Sequence, residues 1–94
     1  MNARNVVQDA LILARNRLDE TPDYPIYVSC VAQLEYLLSV LDGRVIIDRN
    51  KLRNFTIGHY AVREFEESDE CLSRALKDAY LIASKLADGL KVGG

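Results

Sequence analysis

The sequence has few of the residues that form catalytic sites in enzymes and disulfide bonds in secreted domains. Among 94 residues there are a single histidine and two cysteines, and 12 basic against 14 acidic residues give a net charge of −2. Two isolated cysteines do not cross-link a small secreted fold, so we expect a cytoplasmic compartment. The slight acidic excess weighs against binding to nucleic acid or to a membrane surface. A glycine-rich phosphate loop, a metalloprotease motif and a nucleophile elbow are all missing.

Long hydrophobic runs are also missing from the start of the chain. Charged residues interrupt every short apolar run in residues 1–20, so we expect neither a signal peptide nor a membrane span. The length suits one domain over residues 1–94, and 49% apolar with 28% charged residues is ordinary globular composition.

Hydrophobic periodicity predicts an all-α fold, a small bundle of three long helices plus one or two short ones. The long helices are expected at residues 3–20, 25–42 and from about 69 to 88, and the short ones at 49–53 and from 54 or 56 to 65. The expected helix boundaries are N-caps at Asn2, Asp48 and Ser68, a proline break at Pro22 and Pro25, and glycine ends at Gly43, Gly89 and Gly93-Gly94.

Two further features predict local packing. Val45-Ile46-Ile47 is too short to form a sheet without a partner run, so we expect it to be an apolar plug under the bundle. Gly58 costs a helix about 1 kcal/mol relative to alanine, which favours a short or closely packed helix there. On the last helix, the expected buried face includes Leu72, Ala79, Ala83, Leu86 and Leu90.

Charge is unevenly distributed. Residues 56–71 carry a net charge of −4, because five carboxylates fall within seven residues. The seven residues that hold these carboxylates, 64–70, are called the acidic segment here. The acidic segment is either a solvated loop before a helix start or a docking patch for a basic partner. Residues 44–55 carry a net charge of +3 but lack a nucleic-acid-binding motif, so we expect them to be an intramolecular or interfacial partner for the acidic segment.

The candidate ligands and nucleophiles are Cys30, His59 and Cys71. Their spacing matches no zinc motif, and a zinc site needs about four ligands. These residue types would allow a catalytic Cys/His dyad. Cys30, however, lies on an apolar stripe, which predicts a core residue. We therefore expect no catalytic residue, no metal and no cofactor, and a binding module rather than an enzyme.

Several segments resemble a known family. They are LRNFTIG at residues 52–58, AVREFEESD at 61–69, LSRALKDAY at 72–80 and GLKV at 89–92, with Tyr24, QLEY at 33–36 and SVL at 39–41. Together they resemble the small helical immunity proteins that neutralise type VI secretion effectors. None of these segments is a catalytic signature, and the resemblance covers nearly the whole chain.

The resemblance implies a cytoplasmic inhibitor that binds a cognate effector toxin domain and blocks its nucleotide-binding active site, which protects the producing cell. Family relatives neutralise NAD(P) glycohydrolases of the ADP-ribosyltransferase type, and also a pyrophosphokinase that consumes ATP and ADP. Both toxin chemistries stay open.

The charge pattern suggests where the toxin would bind. A nucleotide pocket offsets phosphate charge with Arg, Lys or helix N-termini, and an acidic segment on a rigid scaffold could occupy it. The alternative function is a self-associating helical adaptor without a toxin partner, and a homodimer of the free protein stays open too. The candidate toxin-binding residues are Tyr60, Glu64, Glu66, Glu67, Asp69 and Glu70, with Asp23 and Tyr24 at the preceding turn.

Overall fold

The computed structural model describes residues 2–92, which form helices and no β-strand. The all-α prediction is confirmed. Within these residues no helix is both long enough and apolar enough to cross a membrane. The elements are α1 (Ala3–Glu20), α2 (Pro25–Leu41), α3 (Arg49–Arg53), α4 (Ile57–Tyr60), a π-helical segment (Ala61–Phe65) and α5 (Glu70–Ala87).

The elements pack as a bundle with four helix positions, which are called its corners. α1 contacts both α2 and α5, which lie to either side of it, and α3, α4 and the π segment pack mainly on α5. Residues 49–65 therefore fill the corner diagonal to α1, as a fourth helix broken into three pieces. They run the length of the bundle, from the end of α5, where Arg53 donates to the Ala87 carbonyl at 3.0 Å, to the start of α2, where Phe65 stacks on Tyr27.

The helix boundaries follow local capping chemistry. The Asn2 side chain accepts hydrogen bonds from the backbone of Arg4 and Asn5, and the Asp48 side chain accepts one from Lys51, so both predicted N-caps are confirmed. After α2, Gly43 has φ of 73°, the left-handed geometry expected of a glycine beyond a helix end.

The predicted cap of α5 is wrong by one residue. The Asp69 side chain accepts from the backbone N–H of Leu72, which makes Asp69 the N-cap. The Ser68 hydroxyl instead donates to the carbonyl of Glu64 at 2.9 Å. Asp69 takes the capping position because the turn after the π segment ends one residue later than the polar pattern suggested.

The prediction of an apolar plug under the bundle is also wrong. Val45, Ile46 and Ile47 are 43%, 93% and 38% exposed, so they lie on the surface. Leu52 and Phe55, from α3 and the residues that follow it, are buried instead. These two side chains fill the end of the bundle, which leaves no room for the loop before α3.

The buried face of α5 follows the prediction along most of the helix. Leu72, Ala79 and Ala83 are fully buried, while Leu86 is half-buried. Leu90 is 57% exposed, because Gly89, with φ of 75°, turns the chain out of the helix before it. Gly93-Gly94 lies outside the described residues.

Candidate functional site

The acidic segment lies at one end of the bundle. The π segment and the turn that follows it position its carboxylates around the start of α5. Ala61 and Phe65 anchor the π segment in the core, and the buried Ser73 hydroxyl donates to the Ala61 carbonyl at 2.8 Å. The residues between these two buried anchors, including Val62 and Glu64, are exposed.

Asp69 is held tightly by α1. Arg17 donates through Nε to Oδ2 at 2.6 Å and through Nη2 to Oδ1 at 3.3 Å. The hydrogen bond from this guanidinium, together with the Leu72 N–H, lowers the pKa of Asp69 below its ordinary value. The same hydrogen bond raises the pKa of Arg17. Asp69 is therefore a structural anion that ties α1 to α5.

Glu64 meets the turn between α1 and α2. The Tyr24 hydroxyl donates to Glu64 Oε2 at 3.3 Å. Desolvation raises the pKa of Tyr24, and the negative charge of Glu64 raises it further. The structure thus brings Tyr24 to the acidic segment. Asp23, in contrast, is exposed and forms no hydrogen bond or ion pair within residues 2–92, and Tyr60 packs half-buried against the core.

The remaining carboxylates are exposed. Glu66 lies 3.4 Å from Lys77 Nζ, and Glu70 lies 3.1 Å from Arg74 Nη2. Glu67 has no ion-pair partner in the described part of the chain. Such exposed pairs are worth about 0–1 kcal/mol, so a partner protein can replace them at little cost. A surface recess of about 430 Å³ is lined by Val62, Arg63, Glu64, Glu66, Glu67 and Ser68.

The basic residues of 44–55 do not pair with the acidic segment, so the intramolecular expectation is wrong. Within residues 2–92 the acidic segment is paired by Arg17, Lys77 and Arg74, and the four cations of residues 44–55 form no ion pair. Arg53 contacts the end of α5 and Asp69 lies at its start, so the two segments are separated by an 18-residue helix, about 27 Å, which is too far for side-chain contact.

Sequence reasoning missed one polar connection at the centre of the bundle. The Gln33 side chain accepts hydrogen bonds from the backbone N–H groups of Thr56 and Ile57, at 2.8 and 3.1 Å. Its amide also donates to the hydroxyls of Thr56 and Ser29. Gln33 therefore acts in place of a local N-cap for α4. A polar residue inside the apolar pattern of α2 was the available signal.

The two cysteines occupy contrasting environments. Cys30 is fully buried, and burial raises the pKa of its thiol to about 12. Cys71 is exposed, and both thiols are free. Across residues 2–92, His, Cys, Asp and Glu side chains nowhere gather in a group of three or more that could hold a metal ion.

Comparison with known proteins identifies the lineage. The sequence pattern of the Tsi6 family matches residues 2–85. The chain is 45% identical over 86 residues to the Immune protein Tsi6 of Pseudomonas aeruginosa PAO1, an alignment that covers 92% of this chain and 90% of that protein. This chain is a small all-α immunity-type bundle. It belongs to the Tsi6 family.

Solved structures agree with that assignment. A chain in the structure of Tse6 in complex with Tsi6 superposes with a TM-score of 0.89 at 43% identity, covering 97% of this chain and 96% of that one. The structure of Tsi6 from Pseudomonas aeruginosa gives a TM-score of 0.84 at 42% identity, covering 100% and 97%. The resemblance to small helical immunity proteins is confirmed.

Proposed function

We propose that this chain is an immunity protein that binds a cognate type VI secretion effector toxin and blocks its active site. One observation carries the proposal: a relative of the same fold and nearly the same length, 43% identical to this chain, is found in a complex of Tse6 with Tsi6. As the resemblance implies, the blocked site binds NAD(P) or an adenine nucleotide. Both free thiols suit action in the reducing cytoplasm.

The contact surface that we propose is the acidic segment with Tyr24. Nucleotide sites carry positive charge to hold phosphates, and exposed carboxylates on a rigid scaffold complement that charge. Two contacts hold the segment on the bundle, since Arg17 pairs with Asp69 and the Tyr24 hydroxyl donates to Glu64. A preorganised surface loses less conformational entropy on binding.

Within this surface the carboxylates have different roles. Asp69 caps α5 and pairs with Arg17, so it supports the surface from below. Glu64, Glu66 and Glu67 line the recess and have at most one weak partner, which makes them available to cations of the toxin. The proposed contact also includes Glu70, Asp23 and Tyr60.

The binding experiment titrates this chain into the purified toxin domain of its cognate effector, by calorimetry at two salt concentrations. The double variant Glu66→Lys/Glu67→Lys should bind at least about tenfold more weakly, with a reduced salt dependence. The control is Asp9→Lys/Asp19→Lys, which makes the same change of charge on exposed residues of α1. Equal affinity of both double variants would remove the contact from the acidic segment.

We also propose that inhibition requires no chemistry by this chain. The triple variant Cys30→Ala/His59→Ala/Cys71→Ala should protect cells from the toxin as well as the wild type does, provided that it melts cooperatively. Loss of protection by a folded triple variant would contradict the proposal. If the wild type binds no toxin domain but sediments as an oligomer, the adaptor function is correct instead.

A further inference from the structure

The loop before α3 is the most exposed apolar segment of the described chain. Ile46 is 93% exposed, and its neighbours Val45 and Ile47 are exposed as well. Single exposed apolar side chains are ordinary on protein surfaces, but three in succession at the tip of one loop indicate a contact surface.

Unpaired positive charge surrounds this loop. Arg44 and Arg49 flank it, and neither forms an ion pair or a side-chain hydrogen bond within residues 2–92. Lys51 lies over the Tyr36 ring, with its Nζ 4.1 Å from the centroid. Asp48 is the one carboxylate between residues 44 and 55, and it is occupied as the N-cap of α3. We call residues 44–51 the basic loop.

The charge decides what kind of partner the basic loop fits. A second copy placed symmetrically here would bring arginines against arginines, which like-charge repulsion disfavours. An anionic membrane would attract the arginines of the loop, but it disfavours a chain whose net charge is −2. An apolar recess rimmed by carboxylates on another protein satisfies both the isoleucine and the arginines.

We propose that the basic loop is a second contact with the same effector toxin, received by such an acidic-rimmed apolar recess. This inference rests on the proposed function. Residues 49–65 form one corner of the bundle, with the basic loop at one end of it and the acidic segment at the other. The toxin therefore lies along the molecule rather than against one end.

The elongated shape gives the molecule a side that can receive a partner along its length. That side measures 33 by 22 Å, comparable in scale to the ~800 Å² per partner that specific complexes bury. Opposite charges at the two ends would also fix the direction in which the toxin lies along the corner.

The test compares variants at two isoleucines by titration calorimetry against the same purified toxin domain. Ile46→Asp should weaken binding at least about tenfold, since an apolar anchor in a recess is an interface hot spot. The matched control is Ile12→Asp, at a residue 47% exposed on α1, the corner away from the proposed contact. The control should change the affinity less than about threefold.

The charges are tested in the same way. Arg44→Glu/Arg49→Glu should also weaken binding. Raising the salt concentration should reduce the difference in affinity between this double variant and the wild type. A thermal melt of each variant should stay near that of the wild type, since Ile46, Arg44 and Arg49 are exposed.

The outcomes separate this inference from the proposed function. If the wild type does not bind the toxin domain, the proposed function fails. If the wild type binds and Ile46→Asp binds equally well, the proposed function stands and the second contact is wrong. The inference is also wrong if the wild type sediments as a dimer that Ile46→Asp converts to a monomer, because a second copy then covers the loop.

Discussion

Arg17, near the end of α1, and Asp69, at the start of α5, form a two-point ion pair that closes one end of the bundle. The shorter bond joins Arg17 Nε to Asp69 Oδ2 at 2.6 Å. The same carboxylate caps α5 through the Leu72 N–H. The Asp69 side chain thus connects α5 to a residue of α1 that lies 52 positions earlier in the chain. It also supports the acidic segment.

This pair makes stability depend on pH. Because the folded pKa of Asp69 is lowered, the pair contributes stability above the unfolded value of about 3.9, and that contribution is lost as pH falls through the folded pKa. At pH 7 we expect Asp69→Asn to be less stable by about 1–2 kcal/mol, and Asp69→Ala by about 1 kcal/mol more because Asn still caps a helix.

Urea unfolding at pH 7 and at pH below 3 checks this prediction. The difference between the wild type and Asp69→Asn should shrink at acid pH, since the protonated carboxyl no longer forms an ion pair. A difference that stays constant with pH would show that the pair adds no charge-dependent stability.

Gln33 should contribute more to stability than other half-buried polar residues. Gln33→Ala leaves the N–H groups of Thr56 and Ile57 without their acceptor, which we expect to cost about 2 kcal/mol. Gln33→Glu keeps the acceptors and should cost less. The control is Gln8→Ala, at a half-buried residue of α1 with no side-chain hydrogen bond to residues 2–92. Equal losses at both positions in urea unfolding would show that the Gln33 bonds contribute nothing.

Gly58 is the position where a methyl group should do harm. A Cβ there would lie 2.8 Å from Cγ of Tyr80 and within 3.0 Å of two further ring atoms. Helix propensity favours alanine by about 1 kcal/mol, yet we expect Gly58→Ala to destabilise by about 1–3 kcal/mol because the ring must move.

A double-mutant comparison isolates the cause. In a Tyr80→Ala background, Gly58→Ala should become neutral or stabilising, as measured by urea unfolding. The same loss with and without the Tyr80 ring would rule out the steric explanation.

The two thiols should react at very different rates. Cys71 is exposed and should react with a disulfide reagent such as dithionitrobenzoate in the native protein. Cys30 is buried and its pKa is raised to about 12, so it should react only when the protein unfolds. The measurement is absorbance during labelling, with Cys71→Ser as the control that loses the fast phase. Two fast thiols in the wild type would contradict the buried position of Cys30.

The sequence by itself determined the elements of local origin. Capping by Asn2 and Asp48 depends on side chains that bond to backbone two or three residues away, and the glycine end after α2 depends on the conformational freedom of Gly43. The amphipathic pattern of α1 and α5 also follows from helical periodicity alone. These features need no knowledge of distant residues.

The tertiary structure decided everything that depends on competition for space or for a charged partner. Val45 to Ile47 are as apolar as a core segment. Leu52 and Phe55 occupy the end of the bundle instead, so the loop lies on the surface. Burial along α2 was also decided by packing, since Cys30 and Leu37 are fully buried while Leu38 and Leu41 are only half-buried.

Ion pairing was decided in the same way. The sequence shows a basic and an acidic segment about ten residues apart, and their opposite charges suggested that they pair. The fold places them at opposite ends of the bundle and supplies Arg17 and Lys77 to the acidic carboxylates instead. Because residues 49–65 run the length of the bundle as one broken helix, they hold the two segments apart, and the cations of the basic loop have no acidic partner in the described chain.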